Sequence, residues 1–125
     1  MTRSIPIGPA HAPPESVPPL VPLPRLEVVG RRLEVTDPLR AYAERRTTLA
    51  LDRVRTKIRE VVIRLINVNG PRGGEDKHCR VQVLLATGGS LVIEDRDADA
   101  YVAIDRTMGR MKRVVTEHLR RRRRR

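Results

Sequence analysis

The chain has 125 residues, enough for one domain with a modest core. With 39% hydrophobic and 33% charged residues it reads as mostly globular, and its formal net charge of +11 favours a polyanionic partner, nucleic acid or an anionic membrane surface. Phe and Trp are absent and Tyr42 and Tyr101 are the only aromatics, which excludes the stacking platform used to read single-stranded RNA; nucleic-acid binding would rest on phosphates, shape and arginine.

Residues 1–24 hold eight of the ten prolines. Proline removes backbone donors and restricts the residue before it, so this stretch is expected to be a disordered, partly extended tail. Leu26, Val28 and Val29 before Gly30 predict a short first strand, with Leu33 to Val35 as its continuation or a turn. Thr36-Asp37-Pro38 is a helix start, a capping side chain followed by proline in the first turn. Leu39, Tyr42, Ala43, Ala50 and Val54 recur at helical spacing, so the first helix is expected from about Pro38 to about Arg53.

The β-branched run Ile58 to Val68 predicts a strand buried on one face and partly on the other. Asn69 to Gly74 reads as a turn. Beyond it Cys79, Val81, Val83 and Leu85 alternate with His78, Arg80 and Gln82, the period of a strand. Thr87-Gly88-Gly89-Ser90 predicts a hairpin turn and Leu91 to Glu94 a short strand. Asp95 to Asp99 forms an acidic junction suited to the positive N-terminus of a last helix. That helix carries Tyr101, Ile104, Met108, Met111, Val115 and Leu119 at spacings of three and four. The expected fold is therefore α+β, ordered β-α-β-β-β-α, with two amphipathic helices side by side on one face of a four-stranded sheet.

From Asp99 to Arg125 ten residues are basic and three acidic, so this segment alone supplies +7 of the net charge. At about 100° per residue, with Tyr101 at zero, the apolar set centres near roughly 315°. Arg106, Arg110, Arg113, Arg120 and Arg124 fall between about 100° and 180°, opposite the core face, and Lys112 lies near the apolar border. An ordinary solvated face mixes signs, whereas here Glu117 is the only acid in the stripe, which favours anion binding. In the first helix Arg46 falls within the apolar stripe and Arg53 at its edge. Arg46 either snorkels along its stem or emerges in the groove between the helices, beside the arginines of the last helix. Arg40 and Arg45 would extend the patch.

Other candidates carry less. His78 and Cys79 point to opposite faces of one strand, and no second cluster completes a metal site. A lone cysteine excludes a disulfide framework and points to a reducing compartment. The glycines at 70, 73 and 74 lack the Gly-Lys-Ser/Thr end of a phosphate loop. No serine, histidine and acid form a catalytic set, so neither enzyme activity nor a cofactor is expected. No segment resembles a signal peptide or reaches the length of a membrane span, which points to the cytoplasm.

Val35-Thr36, Leu39-Arg40, Glu94-Asp95 and the run Tyr101-Val102-Ala103-Ile104-Asp105 resemble the ribosome hibernation-promoting factor family, also called ribosome-associated inhibitors and earlier sigma-factor modulation proteins. The resemblance covers about Arg25 to Leu119. It implies the same β-α-β-β-β-α fold and binding to the small ribosomal subunit and its rRNA, in the channel where tRNA and mRNA would sit, inhibiting translation under stress or in stationary phase. By position Arg46, Arg110 and Arg113 match basic family positions that face rRNA, which tips Arg46 toward function. The domain boundaries implied are a tail over 1–24, a ribosome-binding domain over 25–119 and a polyarginine end over 120–125. The proline-rich extension and the arginine run depart from the family pattern, and Glu117 stands in a stretch usually basic. The long members' dimerising domain has no counterpart here, so a monomer is expected. Neither a membrane nor a small-molecule substrate is expected. The alternatives are a general binding module for structured RNA, or a transcription regulator that binds a protein.

Overall fold

A computed structural model describes residue 23, residues 25–69 and residues 74–123. The tail reading for residues 1–24 otherwise lies outside the described residues, as do most of the 69–74 turn and Arg124. Leu23 is buried in the core.

Strand β1 (Leu26–Arg31) is followed by helix α1 (Asp37–Leu51), a 3₁₀ segment (Asp52–Lys57), strands β2 (Ile58–Asn69), β3 (Glu75–Leu85) and β4 (Ser90–Asp97), and helix α2 (Ala100–Arg123). The sheet order is β1-β2-β3-β4. β1 and β2 run parallel, which demands a crossover, and α1 with the 3₁₀ segment provides it. The β2–β3 and β3–β4 pairs are antiparallel. This is the expected α+β order.

Local sequence explains most boundaries. The Leu39 amide donates to Thr36 Oγ1 at 3.3 Å, and Pro38 sits in the first turn of α1. The first helix ends at Leu51, earlier than Val54 suggested, because the chain tightens there into the 3₁₀ segment that carries Arg53. Leu33 to Val35 form no strand: Arg32 turns the chain with φ of 56°. Gly88 and Gly89 make the β3–β4 turn at φ of 99° and 84°, a region that favours glycine. β4 is longer than expected and runs to Asp97. Only Asp99 of the acidic junction caps α2, accepting from the Tyr101 amide at 2.8 Å and the Val102 amide at 3.4 Å.

One face of the sheet carries the core. Val28, Ile63, Val81 and Ile93 pair across all four strands, and all four are buried. Against them pack Leu39, Tyr42, Ala43 and Leu51 of α1 and Ala103, Ile104, Met108, Met111 and Val115 of α2. α2 lies over β3 and β4 and touches α1 along its other side. The buried Thr107 hydroxyl donates to the Ala103 carbonyl at 2.8 Å, and that of Thr47 to the Ala43 carbonyl at 2.7 Å, so neither is left unpaired. Cys79 is buried and faces the helices, with His78 on the other side of the strand; burial pushes the Cys79 thiol up to about 12, leaving it unreactive.

Two glycines give opposite expectations. A Cβ at Gly30 would meet the Leu33 carbonyl oxygen at 2.4 Å and Val35 Cγ2 at 2.7 Å, so Gly30→Ala is expected to lower stability by about 1–3 kcal/mol. A Cβ at Gly109, exposed within α2, meets nothing, so Gly109→Ala is expected to raise stability by about 0.5–1 kcal/mol. Chemical denaturation of the two variants checks both signs.

Candidate nucleic-acid interface

The two helices meet at a small polar cluster. Tyr42 and Arg46 lie one turn apart on α1, and Tyr101 and Asp105 one turn apart on α2. The tyrosine rings pack with centroids 5.0 Å apart at 60°. Asp105 Oδ1 accepts both the Tyr42 hydroxyl, in a short hydrogen bond, and Arg46 Nε at 2.9 Å. Arg46 thus lies in the interhelical groove, as one of the two readings had it, but its guanidinium is tied to a carboxylate on the opposite helix. The pair's side chains are 38% and 43% exposed, so the ion pair itself contributes on the order of 1 kcal/mol or less.

The outer side of α2 is arranged differently from the wheel expectation. Ala103 and Thr107 are fully buried as well, so the buried stripe extends toward β4 and the arginines are not all opposite it. Arg106 and Arg110 reach over β4 to Asp95, with Arg106 Nε 3.5 Å from Oδ1 and Arg110 Nη1 3.5 Å from Oδ2. Asp95 belongs to β4, opposite Cys79, and so faces the helices. Its partial burial opposes ionisation, but the Arg96 amide and then Arg106 and Arg110 outweigh that and hold the carboxyl below the usual carboxylate range. Farther along α2, Glu117 pairs with Arg120 at 3.2 Å and Arg121 at 3.5 Å.

The remaining candidates divide by location. Arg40 donates from Nη1 to the Val28 carbonyl at 2.8 Å, tying α1 to β1. Arg45, Arg53, Lys112 and Arg113 form no ion pair with any described residue, and the last three are exposed. Arg53 lines an open groove of about 290 Å³ with Lys57, Leu119 and Arg122, where the 3₁₀ segment approaches the end of α2. Sequence reasoning passed over Lys57 and Arg122 as part of this site. Lys57 lies four residues after Arg53, but the change from helix to 3₁₀ hides their shared location. Among the described residues no group of three or more His, Cys, Asp or Glu side chains could hold a metal ion, and no helix is long and apolar enough to cross a membrane.

The Tyr42 phenol is pushed up from 10.0 to about 12 by burial and by its bond to the Asp105 carboxylate, with Arg46 partly offsetting both. The folded state therefore holds this proton more tightly than the unfolded state, and stability falls as pH rises from 10.0 toward 12. In a Tyr101→Phe background, where Tyr42 is the only tyrosine, phenolate absorbance is expected to appear near pH 12, and adding Asp105→Asn should move it lower.

Comparison with known proteins agrees with this architecture. A ribosome hibernation promotion factor from Deinococcus radiodurans is 34% identical over 90 residues, covering 71% of this chain and 46% of that protein, so the chain spans about half its relative's length. The crystal structure of the N-terminal domain of Protein Y from Thermus thermophilus superposes with a TM-score of 0.57 at 28% identity, covering 74% of this chain and 94% of that one. A ribosomal subunit interface protein from Coxiella burnetii, 18% identical, shares the fold at a TM-score of 0.63 over 75% of this chain and 96% of its own. Residues 26–123 match the family described as sigma 54 modulation protein / S30EA ribosomal protein, a span that takes in all four strands and both helices, and the chain belongs to that family.

Proposed function

We propose that this protein is a ribosome hibernation factor that binds the small ribosomal subunit through rRNA, occupies the channel used by tRNA and mRNA, and inhibits translation in stressed or stationary cells. The observation that carries the reading is the cationic face formed by α2 and the adjoining groove, where Arg53, Lys112 and Arg113 are exposed and unpaired with any described acid. Such cations bind phosphate by displacing counterions, with little dependence on base identity. The near absence of aromatics fits recognition of folded RNA by shape and backbone. The name of the Deinococcus relative points the same way. In this reading binding calls for no cofactor and no bond-making step, and the protein acts in the cytoplasm with the ribosome.

In this reading Arg45, Arg46, Arg53, Arg106, Arg110, Lys112, Arg113 and Arg120 contribute to the RNA-facing surface and Arg124 extends it, while Arg40 serves mainly to hold α1 on the sheet. Arginine suits the role because its planar fork binds phosphate oxygens bidentately and keeps its charge at all relevant pH values.

Sedimentation with purified small subunits across a salt series tests the proposal. Co-sedimentation at low salt is expected, with a log–log slope of about −4 to −5 if roughly six phosphates are engaged. Initiator-tRNA binding to the loaded subunit should be blocked. Equal affinity for naked duplex RNA and for subunits would instead indicate a general RNA-binding module. Reversal of Arg110 and Arg113 to Glu is expected to weaken binding at least tenfold, about 1.4 kcal/mol or more. Deletion of residues 121–125 should weaken binding without abolishing it. Loss of all binding on that truncation, with none on the charge reversal, would place the interface in the terminal run instead of on the folded helix.

A further inference from the structure

The acid beneath Arg106 and Arg110 is unexpected in a surface meant for a polyanion. Asp95 lies on the helix-facing side of the edge strand, and its side chain is only 16% exposed. The Arg96 amide donates to its Oδ1 at 2.8 Å, which orients the carboxylate. Arg106 approaches one oxygen and Arg110 the other, each at 3.5 Å, and their side chains remain 56% and 54% exposed. Two guanidinium groups are thereby brought within the span of a single oxyanion, a spacing that their mutual repulsion opposes in the absence of the acid. A guanidinium has five N–H donors, and one contact each with Asp95 leaves most of them open to solvent. The trio keeps a net positive charge.

We infer that Arg106 and Arg110 form a two-armed clamp for one phosphodiester group of RNA, and that Asp95 is the positioning residue that holds the clamp open in its binding geometry. The inference rests on the functional reading above, since it assumes that RNA approaches this side of α2. It assigns Asp95 a role opposite in sign to its charge. An acid that acted only through space would repel the phosphate, and removing it would tighten binding. An acid that preorganises two long, rotamer-rich cations lowers the entropy lost when they engage the ligand, and removing it loosens binding. The same geometry separates this pair from Arg120 and Arg121, whose partner Glu117 is 45% exposed on their own helix.

A double-mutant cycle on small subunits tests this. The chains compared are wild type, Asp95→Asn, Arg106→Gln with Arg110→Gln, and all three together. Asn keeps an acceptor for the Arg96 amide, and Asp95→Ser serves as a second variant should Asn disturb the strand. Asp95→Asn is expected to bind about three- to tenfold more weakly although it raises the net charge, and its salt slope should flatten by roughly 0.7 to 0.9, the loss of one phosphate contact. In the background lacking both arginines, removal of Asp95 should have no further effect. Tighter or unchanged binding by both Asp95 variants overturns the inference, as does an equal loss in the two backgrounds. Wild-type chain that fails to bind small subunits refutes the functional reading; the same cycle on duplex RNA then reads the clamp alone, and absence of binding there refutes it too.

Discussion

The contact between the two helices is the constraint on which the rest depends. One sheet face is apolar, and covering it takes both α1 and α2, so the helices must lie against each other. The seam carries the buried Thr47 hydroxyl, which donates to Met108 Sδ at 3.4 Å, and the partly exposed Tyr42–Asp105–Arg46 cluster. A carboxylate on α2 that accepts a phenol and a guanidinium from α1 fits one register of the two helices, which the buried side chains beneath it hold. Every cation on α2 takes its position from that register, as does the meeting of Arg53 and Lys57 with Leu119 and Arg122 at the far end of the seam.

The core does this without Phe or Trp. Val, Ile, Leu and Met fill most of the space between sheet and helices, with three buried threonines, Thr47, Thr48 and Thr107, bonding back to their own helices. Stiff β-branched side chains on the strands and flexible Met108 and Met111 on α2 suit each other, since methionine adapts to the ridged surface that valine and isoleucine present. The cost of leaving out aromatics falls on function instead of packing, because the surface has no stacking platform and must rely on charge.

Charge, in turn, is organised by the few acids on the helical side. Asp105 ties Arg46 across the seam, Asp95 gathers Arg106 and Arg110 at the sheet edge, and Glu117 takes Arg120 and Arg121. A polyarginine helix without them would carry self-repulsion along its length and have no preferred side-chain arrangement. The acids divide the cations into some held in place and others, such as Arg113 and Lys112, left to solvent.

Periodicity in the chain was sufficient for the element order, the Thr36 cap and the alternation of Cys79, Val81, Val83 and Leu85, because each depends on neighbours within a few residues. The Tyr101–Asp105 run, together with Val35-Thr36, Leu39-Arg40 and Glu94-Asp95, indicated the family. The same local information misplaced Asp95 and Asp97 before the last helix, since the length of β4 depends on pairing with β3, which local sequence does not record. It also set Arg106 and Arg110 directly opposite the core face, because a wheel cannot tell which flank of a helix lies over a strand. Periodicity left Arg46 between snorkelling and the groove and could not match it to Asp105, 59 positions away. What the sequence determined by itself was the kind of surface, basic, poor in aromatics and carried by an amphipathic helix. Which cations are tied, which are free and which converge was decided by tertiary structure, because ion pairing depends on distances between elements that only packing brings together.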